Sequence, residues 1–181
     1  SFLGFTGPCT NIRVEHNTVV RILAHEDADS EDVVFWNYEG GNTNIDLRNN
    51  IFVYDPARVE PVFARGEFNH SYNLFYRLDQ ASIPRQANRW AYERKSLGGG
   101  AQLHTGDRIG NPLFRDLAHA DFHLLPGSPA LAAGTNLHYR LDFDGRPLPT
   151  NAPPDMGAYQ SAPMPSSSSP QASASRSSPA R

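Results

Sequence analysis

The chain holds one cysteine, Cys9, and one lysine, Lys95. It also lacks any apolar run approaching the ~18 residues that a membrane-spanning helix needs. A single cysteine excludes an intrachain disulfide and a cysteine-based metal site. Neither sign of charge dominates, with Lys+Arg 16 against Asp+Glu 19. The formal net charge is -3 at pH 7, the isoelectric point is near 6.1, and no basic run interrupts the balance. A nucleic-acid binder normally carries a basic face, so nucleic acid is not an expected partner. What the chain has in quantity is turn chemistry. Gly 14 and Pro 15 in 181 residues, with frequent Asn and Asp between short apolar runs, predict an all-β protein.

Three stretches differ in composition. Residues 161–181, "SAPMPSSSSPQASASRSSPAR", contain no aromatic residue and no Leu, Ile or Val, and read as a disordered tail or linker. Residues 1–110 carry strand patterns, and residues 111–160 form a block rich in turns. The chain opens without Met and enters a strand pattern within its first dozen residues, which predicts the C-terminal part of a longer protein. A monomer is expected.

Within 1–110 an internal repeat aligns on asparagine. "IRVEHNTVV" (12–20), "IDLRNNIFV" (45–53) and "FNHSYNLFY" (68–76) share Asn17, Asn50 and Asn73, at spacings of 33 and 23 residues. Five positions earlier stand Ile12, Ile45 and Phe68; three earlier, Val14, Leu47 and His70; two later, Val19, Phe52 and Phe75. Apolar residues on one parity before the Asn, and one two positions after it, fit two short strands joined at a corner. Asn tolerates left-handed backbone geometry and suits such a corner. Further strands are expected at "VVFWNY" (33–38) and "PVFA" (61–64). Stacked in parallel, such turns make a right-handed parallel β-helix, with like residues in ladders. An antiparallel sandwich is the alternative, and His70 interrupts the apolar column.

The block "DFHLLPGSPALAAGT" (121–135) predicts a strand at Phe122 and Leu124 and a turn at Pro126-Gly127. A single helical turn should follow, capped by Ser128 and Pro129 and ended by a left-handed Gly134. A helix that short has no stability of its own, so it is expected to dock as a lid. The wider block, "GNPLFRDLAHADFHLLPGSPALAAGTN" and "LDFDGRPLPTNAPPDMGAYQ", resembles the end of bacterial choice-of-anchor Q domain proteins, a pectate-lyase-like β-helix family. The resemblance rests on Asn111-Pro112, Phe114, Asp121 to Leu124 and Pro126 to Ala130. It continues through Gly134-Thr135, Asp142, Asp144-Gly145, Pro154-Asp155 and Gly157 to Tyr159. Two positions depart from the family: Ala132, where an acid is usual, and Gln160, where Glu is usual.

The resemblance implies a C-terminal cap over the open end of the β-helix and an extracellular or cell-surface location. It also implies polysaccharide, including uronate-containing chains, as the partner. A lyase on this fold would need a base and a cation, Ca²⁺ or Arg, to stabilise the developing charge. Three candidates follow from residue type. Arg65, Glu67 and His70 in "ARGEFNH" supply a cation and a base, against which His70 in the apolar column reads as a buried hydrogen-bonded residue. Asp27, Asp29 and Asp32 in "HEDADSED" supply oxygen ligands for Ca²⁺, although the run fits no calcium motif and reads equally as a solvated loop. Trp36, Tyr38 and Trp90 offer rings for stacking on sugars. Asp142 and Asp144 read as an Asp-Gly turn. His119 and His123 fall on a turn and a strand, without the helix that their spacing would need to ligate zinc. No cofactor is required, and Ca²⁺ is the metal that the acidic run would suit. A non-catalytic glycan-binding or structural surface protein is the competing functional expectation.

Overall fold

The computed structural model describes residues 3–5, 7–21, 35–37, 42–54, 63–64, 69–78 and 103–161. Among them there is no helix, and the strands come in sequential threes. The first turn gives β1 (Leu3–Phe5), β2 (Thr10–Glu15) and β3 (Thr18–Arg21). The second gives β4 (Phe35–Asn37), β5 (Thr43–Arg48) and β6 (Ile51–Tyr54). The third gives β7 (Phe63–Ala64), β8 (Asn69–Ser71) and β9 (Leu74–Arg77), and β10 (Arg108–Ile109) opens a fourth. Each strand pairs in parallel with its counterpart one turn later. The result is three sheets, β1-β4-β7, β2-β5-β8 and β3-β6-β9-β10. The antiparallel sandwich does not describe these pairings. The aligned columns are in register: Ile12 with Ile45, Val14 with Leu47 and His70, Val19 with Phe52 and Phe75.

The asparagines stack as a hydrogen-bonded ladder. Asn17 donates its backbone N–H (2.9 Å) and its amide (3.1 Å) to Asn50 Oδ1, and Asn50 repeats both bonds to Asn73 Oδ1 at 3.0 and 2.9 Å. Asn73 continues to Asp107, whose Oδ1 accepts from its N–H at 2.8 Å and its amide at 3.2 Å. The left-handed backbone, however, sits one residue before each rung. His16, Asn49, Tyr72 and Gly106 have φ of 55°, 56°, 56° and 75°, so the corner geometry falls there and not on the ladder asparagines. The division has a physical reason. The rung residue must aim its side chain along the stack, while its predecessor turns the chain.

Alternation divides the third sheet into two apolar faces. On one, Phe52 and Phe75 stack at 5.3 Å between centroids, and the His70 ring meets Phe75 edge-on. Both phenylalanines are fully buried, each contributing about 1.5–3 kcal/mol. On the other lie Ile51, Val53, Leu74 and Tyr76, which form one cluster with Ala130, Ala133 and Met156.

That second face explains where the C-terminal block docks. The block lies along the side of the third sheet as a strap, because that face is apolar and must be covered. Phe122 and Leu124 do not extend the parallel stack. β12 (Asp121–Leu124) pairs antiparallel with β11 (Phe114–Asp116), and β10 is the strand that continues the parallel sheet. The segment after Ser128 forms turns instead of a helical turn, with Leu131 N–H on Ser128 O and Ala130 N–H on Ser128 Oγ, both at 3.2 Å. Ala132, at φ 46°, takes the left-handed position expected of Gly134. Gly134 is required for closeness instead: a Cβ there would lie 3.0 Å from the Asn49 carboxamide.

Asn49 is the strap's anchor. Its amide donates to Thr135 O at 2.7 Å, its Oδ1 accepts from Thr135 N–H at 2.8 Å, and its carbonyl accepts from Gly157 N–H at 2.7 Å. Farther along, Ala158 N–H reaches Thr18 Oγ1, and Arg108 reaches Pro129 O. The strap is therefore tied to successive turns. Two carboxylates organise it internally. Asp155 accepts from Ala132 and Ser161 N–H, and Asp142 from Arg146 and Gln160 N–H, all at 2.7 Å. Gln160 accepts from Asp155 N–H and donates back to Asp155 O. The turn at Gly145 (φ 78°) closes on Asp142, as the Asp-Gly reading expects.

Candidate functional site

Where the strap meets β2 and β3 it leaves an open cleft of about 410 Å³, within the range of small-ligand sites. Glu15, His16 and Thr18 form one wall; Tyr139, Leu141, Phe143 and Tyr159 form the other. Its rim carries unusually exposed apolar residues: Phe143 is 79% exposed, Leu141 58% and Tyr139 51%. Phe143 packs edge-on to Tyr159 at 5.7 Å, and Tyr139 edge-on to His16 at 5.7 Å. The rings are thus held upright by neighbours while presenting surface to solvent.

The polar groups of the cleft are committed to structure. Tyr139 donates its hydroxyl to Glu15 Oε2 at 3.0 Å. Burial first, then the Glu15 carboxylate, push the phenol above its ordinary range, so it stays protonated. His16 Nε2 lies 2.9 Å from the Asn49 amide, which can only donate, so this nitrogen accepts and Nδ1 carries the proton toward Gly157 O at 3.4 Å. Burial lowers its pKa and favours the same neutral ring. On this wall His16 is therefore held as a neutral positioning ring, and Glu15 keeps acceptor capacity beyond the one site that Tyr139 occupies.

Beside the cleft, the outward face of the second sheet is charged and polar. Strand alternation places Arg13 and Glu15 on β2 opposite Asp46 and Arg48 on β5, then Asn69 and Ser71 on β8. The charges alternate along and across the strands, and Arg48 binds Asp46 at 2.6 Å. Glu15 belongs to both surfaces and joins them.

Behind the aromatic wall an ion-pair chain fixes its position. His123 bridges Asp121 Oδ1 at 2.6 Å and Asp144 Oδ2 at 2.8 Å, and its ring lies 4.5 Å from that of Tyr159. Arg115 binds the other oxygen of Asp121, and Arg146 lies 3.6 Å from Asp144. Arg115, and after it His123, hold the Asp121 carboxyl down at about 2.

Of the residues singled out by sequence, His70 is buried at 6% exposure, with Nδ1 2.5 Å from Asp107 Oδ2 and its ring stacked 3.9 Å from that of His104. It faces the interior, as the hydrogen-bonded core reading expects, and not a surface where substrate would meet it. Arg65 and Glu67 lie outside the described residues, as do Asp27, Asp29, Asp32, Tyr38 and Trp90. Trp36 lies in β4, in register with Gly4 and Ala64. Among the described residues no group of three or more His, Cys, Asp or Glu is arranged to hold a metal ion. Nor is any helix among them long and apolar enough to cross a membrane. The cleft residues Glu15, His16, Tyr139, Phe143 and Tyr159 escape sequence reasoning. Only Glu15 carries a signal, the outward parity of "IRVE".

Comparison with protein-family models, with curated proteins and with solved structures returned no match.

Proposed function

We propose that this chain is part of a right-handed parallel β-helix that binds polysaccharide at the cell surface or outside the cell. The architecture is supported by three sheets whose strands pair one turn apart and by the Asn17-Asn50-Asn73-Asp107 ladder running along them. The resemblance of residues 111–160 to choice-of-anchor Q domains supports the surface location. One observation carries the binding function: exposed Tyr139 and Phe143 stand over a cleft that adjoins, through Glu15, a polar sheet face. Rings with polar neighbours are the usual means of holding a sugar's apolar face and its hydroxyls together.

Binding is favoured over lyase chemistry because no Arg or Lys stands among the cleft's described lining residues to stabilise the charge that develops beside a uronate carboxylate. His16 takes the Asn49 amide and Tyr139 stays protonated, which leaves Glu15 as the one group of the three with acceptor capacity. Affinity electrophoresis through gels containing soluble polysaccharides tests the reading; retardation by at least one is expected. Parallel incubation with polygalacturonate, alginate and chondroitin, with and without chelator, follows the ultraviolet absorbance of unsaturated ends. A rise in absorbance would replace binding with catalysis.

A further inference from the structure

We infer that the cleft selects an uncharged sugar, an inference that rests on the carbohydrate-binding reading above and narrows its substrate class. Two carboxylates line the cleft, Glu15 and Asp142, and no arginine or lysine is among its described lining residues. Asp142 is turned to the backbone, each oxygen taking one N–H. Glu15 keeps acceptor capacity, since a carboxylate offers about four lone-pair sites and Tyr139 uses one. His16 is held neutral by its contact with Asn49 and contributes no positive charge. A uronate entering here would bring a third carboxylate beside two others, with no Arg or Lys among the described lining residues to offset it.

Two of the cations nearby are matched to acids: Arg48 pairs with Asp46 and Arg146 lies against Asp144. Arg13, whose charge is felt at Tyr139, stands in register with Asp46 and two residues from Glu15, outside the cleft lining. Arg140 is exposed and does not line the cleft. Neutral sugars meet none of this repulsion. Their hydroxyls donate to Glu15, and their C–H faces lie on Tyr139 and Phe143, both aromatic and both more than half exposed.

The test uses the full chain in affinity gels against two panels. One holds xyloglucan, xylan, galactomannan and mixed-linkage β-glucan; the other holds polygalacturonate and alginate. The expected result is retention by at least one neutral glycan, unchanged between 0.05 and 0.5 M NaCl (about a tenfold range, enough to screen surface charge). Phe143→Ala and Glu15→Gln should each weaken that retention, Phe143→Ala by about tenfold or more. Both positions reach solvent, and an unchanged thermal midpoint identifies a binding defect. Retention by polyuronate alone overturns the neutral-sugar inference and leaves carbohydrate binding standing. Retention by neither panel overturns both. Neutral-glycan retention untouched by Phe143→Ala and Glu15→Gln places the site elsewhere and overturns the inference.

Discussion

His70 Nδ1 meets Asp107 Oδ2 at 2.5 Å, while the other oxygen of that carboxylate receives the last bonds of the asparagine ladder from Asn73. His104 N–H also reaches Oδ2, at 3.0 Å. All four contacts come from donors. This is why the terminal rung is aspartate: an asparagine there would point its own NH₂ at two N–H groups. Asp107→Asn should therefore destabilise the fold by about 1–3 kcal/mol, the cost of an unsatisfied buried polar group. Urea denaturation measures it, and a loss below about 0.5 kcal/mol, the scatter of ordinary surface changes, would remove Asp107 from the ladder.

The middle rung should matter more than the first. Asn50 is fully buried; it donates to Val14 O and Asn73 and accepts twice from Asn17. Asn17 is only part-buried and makes fewer such bonds. Asn50→Ala strands two Asn17 donors and Val14 O on the preceding turn, removes one bond to Asn73 Oδ1 on the next, and should cost about 3 kcal/mol or more, two to three times the effect of Asn17→Ala. Hydrogen exchange gives a second readout. The N–H groups of Asn50 and Asn73 should exchange only on global unfolding, and fast exchange at either would contradict the ladder.

The ladder was legible in the sequence because two demands coincide at each corner: the rung needs an amide, and the flanks need strand residues of one parity. The left-handed position just before each rung was not legible, because His16, Asn49 and Tyr72 share no residue type. Asn17, Asn50 and Asn73 satisfy the first in identical form. The fourth rung hides because aspartate replaces asparagine at Asp107, 34 residues beyond Asn73, although Ile109 keeps the apolar position two later. The strap was legible as a specified segment and not as a location. Alternation at Phe122 and Leu124 predicts a strand but carries no partner, and the face it helps cover is made by Ile51 and Leu74 far upstream. The cleft was hardest to read. Tyr139 reaches Glu15 across 124 residues, and nothing periodic marks Tyr139 or Phe143.

Acid should weaken the fold in two stages. His16 and His104 have pKa values lowered below 6.5, in both cases chiefly by burial. The unfolded chain then takes up protons near 6.5 while the folded chain resists, so stability is complete above that pH and declines as pH falls below it. Asp121, held at about 2 against an ordinary 3.8, adds a second loss as pH falls from 3.8 through 2. Urea midpoints across pH 8 to 3 should show both stages. His16→Gln, which can still accept from Asn49, should flatten the first. A midpoint that rises between pH 7 and 5 would reverse the sign and refute the neutral assignment of His16.

The strap's docking can be separated from its local turns by comparing two glycines with similar backbones. Gly157 has φ of 90°, and a Cβ there would lie 2.7 Å from both Ile51 Cδ1 and Thr18 Oγ1. Gly145 has φ of 78°, and a Cβ there would meet nothing within 4 Å. Alanine at either position bears the left-handed cost of about 1–2 kcal/mol. At Gly157 it also pushes the strap off the third sheet, threatening the 2.7 Å bond from Gly157 N–H to Asn49 O and the bond from Ala158 N–H to Thr18 Oγ1. Gly157→Ala should therefore cost at least 2 kcal/mol more than Gly145→Ala, because overpacking a buried contact adds about 1–3 kcal/mol to the backbone strain. It should also expose the apolar face of Ile51 and Leu74, raising the fluorescence of a hydrophobic dye before global unfolding. Equal losses in the two variants, with no added dye binding, would mean that the strap does not cover that face in solution.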